Sequence, residues 1–299
     1  MLWFLPGPIK ATIAFLIMVV NTVFMCTPLF VITLLKLLVP LKPWHAFTSR
    51  ILLYIAVAWV SVNNFAIALT QKIEWDVQGL DGLRPYGWYM VSCNHQSWVD
   101  ILVLQKFLTR RIPFLKFFLK QELIWVPVLG LAWWALDFPF MKRYSKEFLA
   151  KHPEMKGKDL ETTKKACEKF KQIPVSVMNF FEGTRFTQAK HDRQQSPYQY
   201  LLKPKSGGLA YVLSAMGGQL HSMLDVTIVY RESQHEFWDF LSGRVSKVVV
   251  RVTEREIPPE MATGDYENDP EFRAHFQQWV SDLWVNKDQQ IAEINKELN

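Results

Sequence analysis

Two apolar stretches near the front of the chain restrict its architecture more than any other feature. Ala11–Leu35 runs 25 residues and Ile51–Gln71 runs 21 residues without one charged side chain. About 20 apolar residues suffice to cross the hydrocarbon core of a bilayer. The first stretch is too long for the ~7–15-residue core of a signal peptide, and no small-residue cleavage site follows it. Pro28 is expected to kink or break a helix there, and Ser61, Asn63 and Asn64 make the second stretch a poor lipid-exposed span. Three arrangements fit: two spans, a helical hairpin lying within one leaflet, or a helix pair in a soluble core.

Beyond Gln71 charges are dense and no comparable stretch recurs, so residues 1–71 read as a membrane-anchoring unit and 72–299 as a separate domain. A formal charge of +6 favours an anionic partner. Twelve tryptophans favour a membrane surface over nucleic acid, and no zinc-finger spacing, RNP-like run or dense basic arm supports nucleic acid. Cys26, Cys93 and Cys167 contain no C-x-x-C pair, which argues against a disulfide framework or a cysteine metal site and suits a reducing cytosol.

After residue 72 strands and helices alternate. Ile73–Val77, Trp88–Ser92, Val175–Phe181, Leu224–Tyr230 and Val245–Thr253 have the composition of strands. Helices are expected from about Trp98 to Leu108, over Asp159–Lys171 and from Asp269-Pro270-Glu271 onward, the last with an apolar face of Phe272, Phe276, Trp279 and Leu283. Phe114–Trp125 is a second apolar-aromatic segment, and within it Phe114–Lys120 interleaves large apolar groups with lysines, which suits either a surface dipping into headgroups or a core helix. The expected fold is one α/β domain with a mainly β core flanked by helices, preceded by the apolar anchor.

Two short segments carry chemistry. The first, Cys93-Asn94-His95-Gln96-Ser97-Trp98-Val99-Asp100, follows a strand and opens a helix. His95 and Asp100 lie about 140° apart around a regular helix. They meet only if His95 sits in the preceding turn and Asp100 in the first helical turn. A carboxylate holding one imidazole nitrogen fixes the tautomer and makes the other a base for a hydroxyl. The competing reading is structural: Ser97-x-x-Asp100 also resembles a capping box. Cys93 is either a catalytic thiol or a small buried hydrophobe at a strand end. No G-x-S-x-G elbow is present, so His95 is expected to act directly on a substrate hydroxyl.

The second segment, Phe180-Phe181-Glu182-Gly183-Thr184-Arg185, suits phosphate. Arg185 can bind it bidentately and Gly183 lets backbone donors approach, while Glu182 would orient Arg185 or bind an acceptor hydroxyl. Arg143 and Lys205 could add cationic contacts, the latter within Lys203–Gly208 ahead of an apolar helix. Asn94, Lys116 and Gly208 are supporting positions. The alternative for Lys205 is a solvated surface residue, and for the Phe180–Arg185 segment a surface turn with an exposed ion pair.

Taken together, these residues resemble the glycerolipid acyltransferase family, which includes 1-acylglycerol-3-phosphate acyltransferases. His95 and Asp100 match its H-x-x-x-x-D motif, Glu182–Arg185 its E-G-T-R motif, Phe114 through Gly130 to Arg143 its acceptor-binding block, and Lys203–Gly208 its K-x-G segment. Phe181 stands where a proline is common, and Asp225–Tyr230 lacks the proline of the fourth block. In these respects the chain looks more like the branch containing lysocardiolipin acyltransferases. The resemblance implies transfer of an acyl group from acyl-CoA or acyl carrier protein to a lysophospholipid hydroxyl, 1-acyl-sn-glycerol-3-phosphate foremost. It implies His95 as base and phosphate binding at the E-G-T-R loop, with no metal or cofactor. A cytosolic thioester donor, set against the cationic loop Lys36, Lys42 and Arg50, favours one anchor helix or a shallow hairpin, with the catalytic domain facing the cytosol.

Overall fold

The computed structural model describes residues 1–141, 151–152, 167, 170, 174–216, 218–220, 222–233 and 235–298. Two long helices, α1 (Gly7–Leu38) and α2 (Lys42–Thr70), pack against each other as a hairpin. Pro28 lies inside α1 without ending it. One of the polar residues that made Ile51–Gln71 a poor span has a partner on α1: Asn21 Nδ2 donates to Asn63 Oδ1 at 2.8 Å and to the Trp59 carbonyl at 2.9 Å, and so joins the two helices.

The remaining described residues build a six-stranded sheet flanked by helices. In chain order its strands are β1 (Glu74–Gln78), β2 (Tyr89–Cys93), β3 (Leu115–Phe117), β6 (Ser176–Asn179), β7 (Ser222–Tyr230) and β8 (Lys247–Glu256). The spatial order is β1-β8-β7-β2-β6-β3. Every neighbouring pair is parallel except β7–β8. The fully buried run of β2 is what a central parallel strand requires. A small second pairing joins β4 (Leu119–Lys120) to β5 (Phe140–Met141).

The helices are α3 (Val99–Leu108), α4 (Leu129–Ala135), α5 (Gln188–Gln194), α6 (Ser206–Met216), α7 (Phe237–Leu241), α8 (Pro259–Thr263) and α9 (Pro270–Leu298). One apolar layer under the sheet takes Met90, Val177, Leu213, Phe276 and Trp284. The other takes Val91, Val103 and Ile228, and also Ala11, Ala14, Met18 and Ile67 of the hairpin. The boundary at residue 71 therefore coincides with the end of α2 but not with a gap in packing. Asp269 caps α9 by accepting from the Glu271 and Phe272 amides at 2.9 and 3.0 Å.

Phe114–Trp125 is not the core helix considered for it. It forms β3, β4 and a 3-10 turn at Gln121–Trp125, because ladders to β6 and β5 override its local pattern. The helix expected over Asp159–Lys171 lies outside the described residues except at Cys167 and Phe170, both helical and buried.

Candidate active site

Parallel neighbours release their loops at the same end of a sheet. In β2 and β6, Ser92 pairs with Asn179. Three residues beyond that pair, in the loops that leave the two strands, come His95 and Glu182, so the two sequence motifs meet at the same end of the sheet. Beyond Cys93, the last residue of β2, Asn94 substitutes its side chain for the next rung: Nδ2 donates to the Ile228 carbonyl at 2.8 Å and Oδ1 accepts from the Ile228 amide at 2.9 Å. This fully buried amide fixes the direction in which the His95 loop leaves the sheet.

His95 Nδ1 donates to Asp100 Oδ2 at 2.9 Å. The same oxygen accepts from the Gln96 and Ser97 amides at 2.7 and 2.9 Å, and Oδ1 accepts from the Tyr230 hydroxyl at 2.7 Å. One carboxylate makes both the His95 contact and the turn-closing contacts expected of Asp100. It closes the turn before α3 and, by accepting from Nδ1, leaves Nε2 as the basic nitrogen. Burial and the adjacent Asp100 push the Tyr230 hydroxyl well above its ordinary pKa, so it stays a donor. The imidazole also stacks on Phe180, with ring centroids 3.8 Å apart and planes at 14°.

His95 lines a cleft of about 300 Å³ together with Trp98, Phe117, Lys120, Phe180 and Arg185. Arg185 stacks over Trp98 at 5.3 Å and pairs with Glu236 at 3.2 Å. Thr184 Oγ1 accepts from Lys190 Nζ at 2.9 Å, and the same ammonium donates to the Arg185 carbonyl at 2.8 Å. Gly183 adopts φ +68°, a left-handed conformation. A Cβ there would also come within 3.2 Å of Lys205 Nζ, so Lys205 reaches the E-G-T-R loop as expected. Gly208 lies against Asn179, where a Cβ would stand 3.2 Å from Nδ2.

Two expectations change. Glu182 does not face a phosphate or Arg185. It is fully buried, its Oε1 accepts from the His95 amide at 2.7 Å, and its Oε2 accepts from the Leu202 amide at 2.9 Å. Burial raises its pKa to about 8, opposed by those two amide bonds. It is a clip between loops, not a ligand. Lys116 extends over Phe170 at 5.1 Å and lines a separate pocket with Leu52 and Phe114, away from His95. Arg143 lies outside the described residues. The thiol reading of Cys93 also fails, because the side chain is fully buried and burial pushes its pKa well above the ordinary value. The motifs assign no role to Tyr230, Phe180, Lys120, Lys190 or Glu236, although Phe180, Lys120 and Tyr230 lie within segments singled out in the sequence.

The chain is similar to several known acyltransferases. The mouse 1-acyl-sn-glycerol-3-phosphate acyltransferase gamma is 25% identical over 180 residues, covering 56% of this chain and 43% of that protein. The 2-acyl-1-lysophosphatidylinositol acyltransferase of Saccharomyces cerevisiae is 24% identical over 232 residues, covering 66% of this chain and 58% of that protein. The chain thus spans about half the length of the curated relatives it matches. The crystal structure of the 1-acyl-sn-glycerophosphate acyltransferase PlsC from Thermotoga maritima superposes with a TM-score of 0.55 at 16% identity. That match covers 96% of this chain and 95% of that one, and so extends the shared fold to the front hairpin. A family model described as Acyltransferase spans residues 74–231, from β1 to just past β7, and takes in both motifs and more than half of the sequence; the chain belongs to the acyltransferase family.

Proposed function

We propose that this chain transfers a fatty acyl group from an acyl thioester, acyl-CoA or acyl carrier protein, to the free hydroxyl of a lysophospholipid, and that 1-acyl-sn-glycerol-3-phosphate is the foremost acceptor. The observation that carries this reading is the Asp100–His95 pair, which leaves one imidazole nitrogen as a base on a cleft bordered by Lys120 and Arg185. His95 Nε2 takes the hydroxyl proton while the oxygen attacks the thioester carbonyl. The C–S bond then breaks, and the thiolate takes the proton back from the imidazolium, which Asp100 stabilises. Arg185 and Lys205 bind the acceptor phosphate. The yeast relative supports a second acceptor class, a phosphodiester lysolipid of the lysophosphatidylinositol, lysophosphatidylglycerol or lysocardiolipin type.

The hairpin supports action at a membrane surface. Leu16, Val20, Phe24, Leu34 and Leu38 are exposed along α1. Both ends of α1 touch the α/β domain, Gly7 at the Ser242 carbonyl and Lys36 at Asp137. These points are about 44 Å apart along the helix at 1.5 Å per residue, more than the ~30 Å hydrocarbon core. A helix tied to the domain at both ends lies along it, which supports a hairpin that enters one leaflet over one that crosses; entry from the cytosolic side rests on the thioester donor. Incubating the purified protein with labelled acyl-CoA or acyl carrier protein and a panel of lysophospholipids tests the activity. Labelled diacyl product is expected, whereas free fatty acid without acylated lipid would overturn the reading.

A further inference from the structure

The longest soluble helix, α9, starts 39 residues after the family-matched segment ends, yet one face of it is committed to the catalytic loops. Trp284, Lys287 and Asp288 stand three and four residues apart, hence on the same face. Trp284 Nε1 donates to the Leu202 carbonyl at 3.2 Å. The Asp288 carboxylate accepts from the Gln199 and Tyr200 amides, both at 2.8 Å. Lys287, fully buried, binds Asp225 at 2.5 Å and donates to the Val226 carbonyl at 2.6 Å. Lys287 therefore pins the helix to the sheet while its neighbours grip residues 199–202.

That gripped segment touches the active site at two points. The Leu202 amide holds Glu182 Oε2, and the other Glu182 oxygen holds the His95 amide. Three residues on, the Lys205 amide donates to the Phe181 carbonyl at 2.6 Å, which places Lys205 beside Gly183. A path runs from Asp288 by hydrogen bonds to the Gln199 and Tyr200 amides, along the backbone to Leu202, and by hydrogen bonds through Glu182 to the backbone of the base. A branch of it sets a phosphate-binding lysine.

We infer that Asp288 is a positioning residue for acyl transfer: through the 199–202 segment and Glu182 it sets where His95 stands. This rests on the acyltransferase reading above. Asp288 supplies two of the contacts that hold the segment, beside Trp284 at Leu202 and Ser196 at the Leu201 carbonyl, so releasing it loosens residues 199–200 first and, through them, the loop that carries the base. A misplacement of about 1 Å at a reacting group can cost roughly 100-fold in rate. Asp288 itself is only half-buried, so its removal leaves no cavity in the apolar core.

The test compares wild type, Asp288→Ala, Asp288→Asn and the exposed control Glu293→Gln by acyl-transfer kinetics and by hydrogen exchange read peptide by peptide. Asp288→Ala is expected to lower kcat about 10- to 100-fold. It should speed exchange in the peptides covering 199–205 and 93–98 while α9 itself stays protected. Asp288→Asn keeps one acceptor oxygen for the two amides and should fall between Ala and wild type; Glu293→Gln should match wild type in both readouts. Three results would overturn the inference: wild-type kcat in Asp288→Ala, faster exchange that stops at 199–205, or a wild-type Asp288→Asn beside an Asp288→Ala that exchanges rapidly throughout. The exchange readout needs no turnover, so an inactive wild type would refute the acyl-transfer reading and leave the positioning path separately measurable.

Discussion

Replacing Asp100 with Asn exchanges one oxygen for an amide group and removes a buried charge, with almost no change of shape. The carboxylate accepts four hydrogen bonds, three on Oδ2 and one on Oδ1. An Asn can keep the three-donor side by turning its oxygen toward His95, which presents its NH2 to Tyr230. The tyrosine hydroxyl can accept from that group, so the fold survives. The charge-assisted share of the bonds is lost, and the stability cost is about 1–3 kcal/mol, tempered by the desolvation no longer incurred.

Catalysis suffers more. The imidazolium that forms as His95 takes the hydroxyl proton loses its counter-charge, and general-base assistance of this kind is worth roughly 100- to 10,000-fold, or about 3–5 kcal/mol of barrier. The assay is the initial rate of lysolipid acylation in detergent micelles, with thermal unfolding measured on the same preparation. Tyr230→Phe leaves one carboxylate oxygen without its donor, so it should cost about 1–3 kcal/mol in stability and a smaller part of the rate. Because both residues serve one carboxylate, the double variant should lose less than the sum of the singles. An Asp100→Asn enzyme that stays folded and turns over within about threefold of wild type, less than the 100-fold floor for a base's orienting partner, would refute the assignment.

Three further outcomes follow from the same geometry. Cys93→Ala should keep kcat within about twofold, since the thiol is an inert core group, and iodoacetamide should leave Cys93 unmodified in the folded protein; loss of activity beyond the loss of folded protein would revive the thiol reading. Arg185→Ala should raise the acceptor KM about 10- to 100-fold by removing a charged contact worth about 1.5–3 kcal/mol, with kcat little changed, and an unchanged KM would remove Arg185 from the phosphate site. Glu182 has a folded-state pKa of about 8 against an ordinary 4.5, so the folded state binds its proton more tightly than the unfolded one. The stability it contributes is complete below about pH 4.5 and is lost as pH rises through about 8. The fall in Tm between pH 5 and pH 9 should therefore be smaller in Glu182→Gln than in wild type, and equal falls would show that Glu182 is not the titrating group.

The strands that carry the site were legible because they are short, β-branched and bounded by turn residues: β2, β7 and β8 fall within one to three residues of their expected limits. The His95–Asp100 contact was legible for a geometric reason, since a five-residue spacing works only across a helix start. Glu182 was misread because its motif neighbours point outward, while which way a loop carboxylate turns depends on the amides waiting for it. Those amides belong to His95 and Leu202, 87 and 20 residues away in the chain, and no local pattern encodes them. The same holds for Tyr230, whose hydroxyl meets Asp100 across 130 residues. Phe114–Trp125 failed as a helix because its hydrogen-bonding partners lie on other strands.

Acylation of lysophospholipid by purified wild-type protein and by His95→Ala, in the same vesicles and at matched folded fraction, tests the central claim most directly. Wild type should form labelled diacyl lipid, and His95→Ala should remain folded and vesicle-bound with the rate reduced at least about 100-fold, the low end of what a positioned base supplies. A His95→Ala protein that acylates at a near-wild-type rate would contradict the account.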